Sequence, residues 1–298
     1  MSVELSLILI VVFALVIFAV CLRFLQEWRW GVGVMNMIVG KNNAAAGIEY
    51  AGFFLGVWII TSSVLDGVSL HPGRVQEMIE SGTLSLMSYA VQIICYGIGS
   101  ILLLGAAGWG VPRLLLQSNL HETVRANNIA AGIVIASGYV STALVIAGVL
   151  SPEGQGGDLT ASVVFFGAGM LALILCTYLF RFLTRYDDSR EIRDDNGAAA
   201  LSYGGMMVAI GMIIGHAVEG DFTDYRTSFL LFGKAVLIIV ALYPLRQWLV
   251  QGILLGDGFR WYGGKLDDEI SVGRNIGAGA VEAATYLAFA VLAIHLGY

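Results

Sequence analysis

Two glutamates stand where glutamate is rare. Glu49 lies in AAAGIEYAGFF and Glu282 in GAGAVEAATY, each inside a long apolar stretch. A charged group at mid-bilayer costs at least about 2.5–3.5 kcal/mol on insertion scales, so each acid needs a partner, a proton or a task. Glu49 follows Asn43 by six residues and Glu282 follows Asn275 by seven, so both fall about 9–10 Å along a helix from its start. On a helical wheel set at the Asn, Glu282 falls at about 340°, and Glu49 falls at about 240°, near the edge of that face. Two inward carboxylates at one depth can share a proton, and can bind a cation when ionised. The other reading is that each is protonated or hydrogen-bonded to a nearby Ser or Tyr. The corresponding positions elsewhere hold Val134 and Ser202, and Ile135 and Tyr203.

Further polar residues sit near the opposite ends of the apolar runs. Lys234, His216 and His295 form a possible polar cluster there, with Lys234 either meeting the histidines or extending its ammonium outward. HAVEGDFTD, from His216 to Asp224, puts a His and a Glu three apart, which is a weak metal signal. Cys21, Cys95 and Cys176 lie in apolar runs without CxxC spacing, and read as small core residues. No HExxH, GxSxG, P-loop or dinucleotide fingerprint occurs. The expectation is therefore a protein that is not an enzyme, with no cofactor and no metal.

The elements that must hold these residues follow from composition. The chain has 298 residues, 57% hydrophobic and only 13% charged, where a soluble domain carries about 25% charged. Its 38 glycines and 4 prolines suit close-packed transmembrane helices. Nucleic-acid binding is not expected, because no basic patch with interleaved aromatics exists. Eight runs are long enough to span, at 5–25, 43–66, 85–107, 128–150, 160–184, 197–217, 228–250 and 274–297. The N-terminal run has no basic leader or small-x-small site, so it reads as a retained helix.

Lys and Arg concentrate in the linkers after the first, third, fifth and seventh runs, which carry 13 of the 16. The positive-inside rule makes those linkers cytoplasmic and both termini periplasmic. The acids Asp66, Glu77, Glu80, Glu153, Asp158, Glu219, Asp221 and Asp224 then fall outside the membrane. The mixed-charge linkers DDSREIRDDN and LDDE, from Asp187 and Leu266, read as solvated loops. Trp28, Trp30, Trp261 and Tyr262 flank basic residues and read as interfacial anchors.

Each even-numbered run opens alike. Asn43, Asn128, Asn196 and Asn275 each begin Asn-x-[Ala/Gly]-Ala-[Gly/Ala], and a small residue follows eight positions later at Ala51, Ala136, Gly204 and Ala283. Asn is a strong N-cap, and small faces allow backbones to approach. Structural capping is the plain reading. A ring of converging helix N-termini, attractive to an anion and part of an ion or solute pathway, is the sharper one. The first and third Asn are 153 apart, and the second and fourth 147, so the chain is two similar halves of two hairpins each.

Tandem four-helix units with this opening resemble the YjfL-like bacterial membrane proteins, a domain of unknown function. The resemblance covers nearly the whole chain as two copies and implies a helical inner-membrane protein, with no activity attached. The expected fold is an all-α membrane protein of eight transmembrane helices, in two tandem four-helix halves (1–150 and 151–298) built from four parallel hairpin repeats around a common centre. The leading expectation for function is a channel or transporter for a small ion or solute using Glu49 and Glu282. The alternative is a membrane scaffold or partner subunit, packing through its small faces, homo-oligomeric or recruiting a cytoplasmic partner protein. The lipid bilayer is the partner common to both.

Overall fold

The structure is a computed structural model that describes residues 3–30, 33–67, 81–82, 86–116, 119–150, 159–219 and 224–296. Among the described residues all regular structure is helical. The long helices are α1 (Val3–Trp30), α2 (Ala44–Gly67), α3 (Leu86–Leu116), α5 (Ile129–Leu150), α6 (Leu159–Leu183), α8 (Gly197–Glu219), α9 (Tyr225–Arg246) and α11 (Ile276–Leu296). Three short helices precede the inner ones: α4 (Leu120–Arg125), α7 (Asp188–Arg193) and α10 (Lys265–Ser271). A π-helical turn at Asn36–Gly40 takes that place before α2, and a second, Gln247–Leu254, extends α9. Seven helices among the described residues are long and apolar enough to cross a membrane; within α1 the described apolar stretch is Val12–Cys21.

The helices form two layers. The inner layer is a succession in which α2 packs on α5, α5 on α8 and α8 on α11. The outer layer, α1, α3, α6 and α9, covers one side of it. The inner contacts are backbone-close because the residues are small. A Cβ on Gly132 would lie 2.6 Å from the Ala45 carbonyl oxygen, and one on Gly211 would lie 2.8 Å from the Ser141 Cα. Gly52 meets Ala136, Gly205 meets Ala283, and Gly279 meets the Ala198 carbonyl with similar intolerance. Such close approach trades side-chain volume for dispersion contact, the dominant attraction between helices in lipid.

The expected fourfold bundle is instead a curved row. Each inner helix uses two separate small faces, one for the helix before it and one for the helix after. Positions two and nine after the Asn meet the next helix, whose answering positions are four and eight after its own Asn. These faces point about 130° apart on a helical wheel, so the row bends without closing on itself. On the concave side, at the end away from the Asn residues, Ile59, Leu144, Met212 and Ile294 border one cavity of 440 Å³ that also reaches His216 and Glu219.

The mixed-charge linkers are not solvated loops. Asp188, Ser189 and Ile192 of α7 are buried, as are Leu266, Asp267 and Ile270 of α10. The i, i+4 pairs Asp188/Ile192 and Leu266/Ile270 put the buried side chains on one face of each short helix. α7 packs on α5 and α8, and α10 on α8 and α11. The acids at Glu77, Glu80, Glu153 and Asp221, and the side chains of Asp66, Asp158, Trp28 and Trp30, lie outside the described residues. Trp261 and Tyr262 are exposed at the Asn end.

Candidate functional site

Three of the four Asn residues, Asn43, Asn128 and Asn196, make a relay. Asn43 Oδ1 accepts from the Ala46 N–H at 2.7 Å, capping α2, while its Nδ2 donates to the Val124 carbonyl at 2.9 Å, at the end of α4. Asn128 repeats this: Oδ1 accepts from Ala131 N–H at 2.7 Å and Nδ2 donates to the Ile192 carbonyl at 2.9 Å. Asn196 caps at Ala199 (3.3 Å) and donates to the Ile270 carbonyl at 2.8 Å. One amide thus satisfies an orphan donor of its own helix and an orphan acceptor of the next short helix. In low dielectric both ends need partners.

The residue before each Asn completes the link. Asn42, Asn127, Asp195 and Arg274 all hold a positive φ, from 48° to 66°. That left-handed conformation is costly for non-glycine residues, though least so for Asn and Asp. It directs the side chain back to the preceding repeat: Asn127 Oδ1 accepts from Ala45 N–H at 3.2 Å, and Asp195 Oδ1 from Ala130 N–H at 2.9 Å. Arg274 cannot accept. It donates to the Asp194 carbonyl at 3.1 Å instead, and Asn196 takes over the Ala198 N–H at 3.0 Å.

A buried charge cluster lies beside the last link. Arg246, at the end of α9, is fully buried. Its Nε donates to Glu282 Oε1 at 2.6 Å and its Nη2 to Asp267 Oδ1 at 2.9 Å. Its guanidinium carbon sits 5.7 Å from the centre of the Tyr243 ring. Asp267 Oδ2 also accepts from the Arg185 N–H at 3.1 Å. The guanidinium thus bridges two carboxyl groups on different helices. Arg246 Nη1 and Glu282 Oε2 carry no hydrogen bond among the described residues. Arg is suited to this place because its planar fork meets two carboxylates at once.

A second, smaller cluster joins α6 to α7. Arg181 Nε lies 3.6 Å from Asp188 Oδ2 and Nη2 3.4 Å from Asp187 Oδ1. Arg181 also donates to the Leu115 carbonyl at the end of α3 and to Ser189 Oγ. Burial pushes the Asp188 carboxyl up to about 7, with Arg181 opposing the rise and Glu282, Asp187 and Asp267 adding to it.

The remaining residues singled out in the sequence are placed as follows. Glu49 is fully buried on α2 and Glu282 is buried on α11, at opposite ends of the row with α5 and α8 between them. Asn43, Asn128 and Asn196 are buried and Asn275 is exposed. His216 Nδ1 lies 3.3 Å from Glu219 Oε2, His295 Nδ1 lies 2.9 Å from the Val291 carbonyl of its own helix, and Lys234 is exposed on α9. No group of three metal-ligating side chains occurs among the described residues.

Sequence reasoning missed Arg246, Asp267 and Asp188 because Arg after a helix and acids in a linker read as solvated. The legible signal was the apolar pair Leu266/Ile270 flanking Asp267. The second packing face was legible too, since positions two and nine after each Asn are all small: Ala45, Ala130, Ala198, Gly277 and Gly52, Ser137, Gly205, Ala284.

Comparison with known proteins agrees with a membrane protein in two parts. The chain is 24% identical over 219 residues to a UPF0719 transmembrane protein of Aquifex aeolicus (strain VF5), covering 72% of this chain and 75% of that one. No solved structure matches significantly. The model of the Domain of Unknown Function DUF350 matches twice, over residues 1–150 and 156–296, and the chain belongs to that family.

Proposed function

We propose that this protein is a non-transporting membrane scaffold, an eight-span inner-membrane array of four parallel hairpins with the Asn ends on the cytoplasmic side. The observation that carries this reading is the Asn relay. The first three repeats each spend the opening Asn amide on coupling to the next repeat. The buried acid Glu282 is held by Arg246 at 2.6 Å, which makes it a registry element between α9 and α11 and removes its availability to a passing cation. The excess of Lys and Arg in the linkers at the Asn end supports the orientation.

A second reading has one observation in its favour. Glu282 Oε2 is buried without a hydrogen bond among the described residues, and such an oxygen can accept a proton. In that reading Glu282 and Arg246 form a proton or cation relay, with Glu49 as a second carboxylate in the first half. Reconstitution into liposomes loaded with a pH-sensitive dye separates the two. The scaffold reading expects proton and K⁺ flux equal to protein-free liposomes. A flux that Glu282→Gln or Glu49→Gln abolishes would overturn it.

A further inference from the structure

The row has two unlike ends, and each displays the half of the interior interface that the other lacks. Inside the chain, a helix offers small residues two and nine positions after its Asn, and the following helix answers with positions four and eight. At the last helix, positions two and nine are Gly277 and Ala284, both exposed. At the first, positions four and eight are Gly47, half-buried, and Ala51, exposed.

The polar links are also left open in matching fashion. Asn42 holds the left-handed conformation, φ 49°, that at Asn127 and Asp195 aims an amide or carboxylate at the preceding inner helix, and the helix before it, α1, belongs to the outer layer. Gly277 occupies the position of Ala45 and Ala130, whose N–H groups take that bond within the chain. Among the described residues Asn275 Nδ2, whose counterparts donate to a carbonyl of the next short helix, donates to Glu269 Oε2 at 3.0 Å.

Beside Asn275 a groove of 550 Å³ lies between Val250 and Leu254 on one flank and Gly277, Ala278 and Val281 on the other. The short helices α4, α7 and α10 bury Val124, Ile192 and Ile270 at this register. The first repeat presents Ile38, half-buried, and Val39, 80% exposed. Further along α2, Trp58 is exposed where interior repeats carry Ala143 and Gly211, and the opposing tail position is Ala288, small and exposed. An aromatic ring over a small residue is a favourable anchor.

We propose that two copies of this chain dock head to tail, with the α2 edge of each seated on the α11 edge of the other, closing a ring of eight inner-layer helices. The faces of one helix point about 130° apart, and a ring of eight needs about 135°, so two four-repeat chains close where one cannot. The outer layer sits on the convex side. This inference rests on the scaffold reading and deepens it by naming the partner.

Cross-linking tests it. Ala51→Cys with one tag and Ala284→Cys with another are co-expressed in a background carrying Cys21→Ala, Cys95→Ala and Cys176→Ala, then oxidised in membranes. Disulfides form only where Cβ atoms approach about 4 Å, so doubly tagged dimers should exceed those from Ala51→Cys with the outer-layer Leu175→Cys by about tenfold. Native mass measurement of the wild-type protein in detergent should give two 31.9 kDa copies, and Ala284→Trp should give one that keeps the wild-type helix content by circular dichroism. Cross-linking no better than the control, a native mass of three or more copies, or a dimeric Ala284→Trp overturns the proposal. The liposome flux is a separate readout. Flux that depends on Glu282 would remove the scaffold reading and leave the dimer standing, whereas absent cross-links with no flux would remove the dimer alone.

Discussion

The two halves treat the same arginine in opposite ways. In the first, Pro112 is followed at once by Arg113, which is exposed. In the second, Pro244 is followed by Leu245 and then Arg246, which is fully buried. One added residue turns a side chain by about 100° around the helix, here from outside to inside. The packing partner changes to match. At the depth of Glu282 the first half has Val134 and Ile135, both buried and apolar. One scaffold therefore tolerates either a dry apolar contact or a compensated charge cluster at the same junction. The architecture resides in the small faces and the Asn links, and the cluster is an addition to it.

Removing the buried arginine puts this contrast under the greatest strain. Arg246→Ala leaves Glu282 and Asp267 buried and facing each other, and breaking such a cluster costs about 3–5 kcal/mol. Arg113→Ala, at the exposed counterpart, should cost about 0.5 kcal/mol or less. Thermal unfolding in detergent compares the two, and equal losses would dissolve the distinction between the halves.

The relay predicts a smaller difference. Asn128→Ala removes a cap and orphans carbonyls of α7, while Asn275→Ala removes a cap at an exposed end. The first should cost about 2 kcal/mol and the second about 1 kcal/mol or less. If both cost the same, the Asn residues act as caps alone and carry no coupling between repeats.

The last comparison is in pH. Asp188 has its folded-state pKa raised from 3.8 to about 7. The folded state therefore keeps a proton that the unfolded chain releases, and this group's contribution to stability falls as pH rises from about 4 to about 7, then levels off. Asp188→Asn should flatten that part of the profile of unfolding midpoint against pH. An unchanged slope would place the proton elsewhere among Asp187, Asp267 and Glu282.

Much of this was legible in residues and some was not. The Asn openings announced helix starts, and the long apolar runs placed the long helices to within a few residues at most ends. The small positions three, four and eight after each Asn announced one close-packed face. They suggested a common centre because a single face can only converge. The second face, two and nine positions on, is equally small but points away, and only both together yield a row. The burial of Arg246 was hidden for another reason. Whether an arginine after a proline faces water or protein depends on one residue of phase and on an acid 36 positions away, and neither is a local property of the sequence.

Because within its layer every inner helix packs on the one before and the one after, an isolated copy holds together as a chain of neighbour couplings. Its middle pair, α5 and α8, is clasped on both flanks, while α2 and α11 are each clasped on one. Amide exchange should accordingly be slowest at the centre and quicken toward both rims. Lengthening the array by one whole hairpin would add one more coupling without disturbing those already made, so this architecture can grow by duplication.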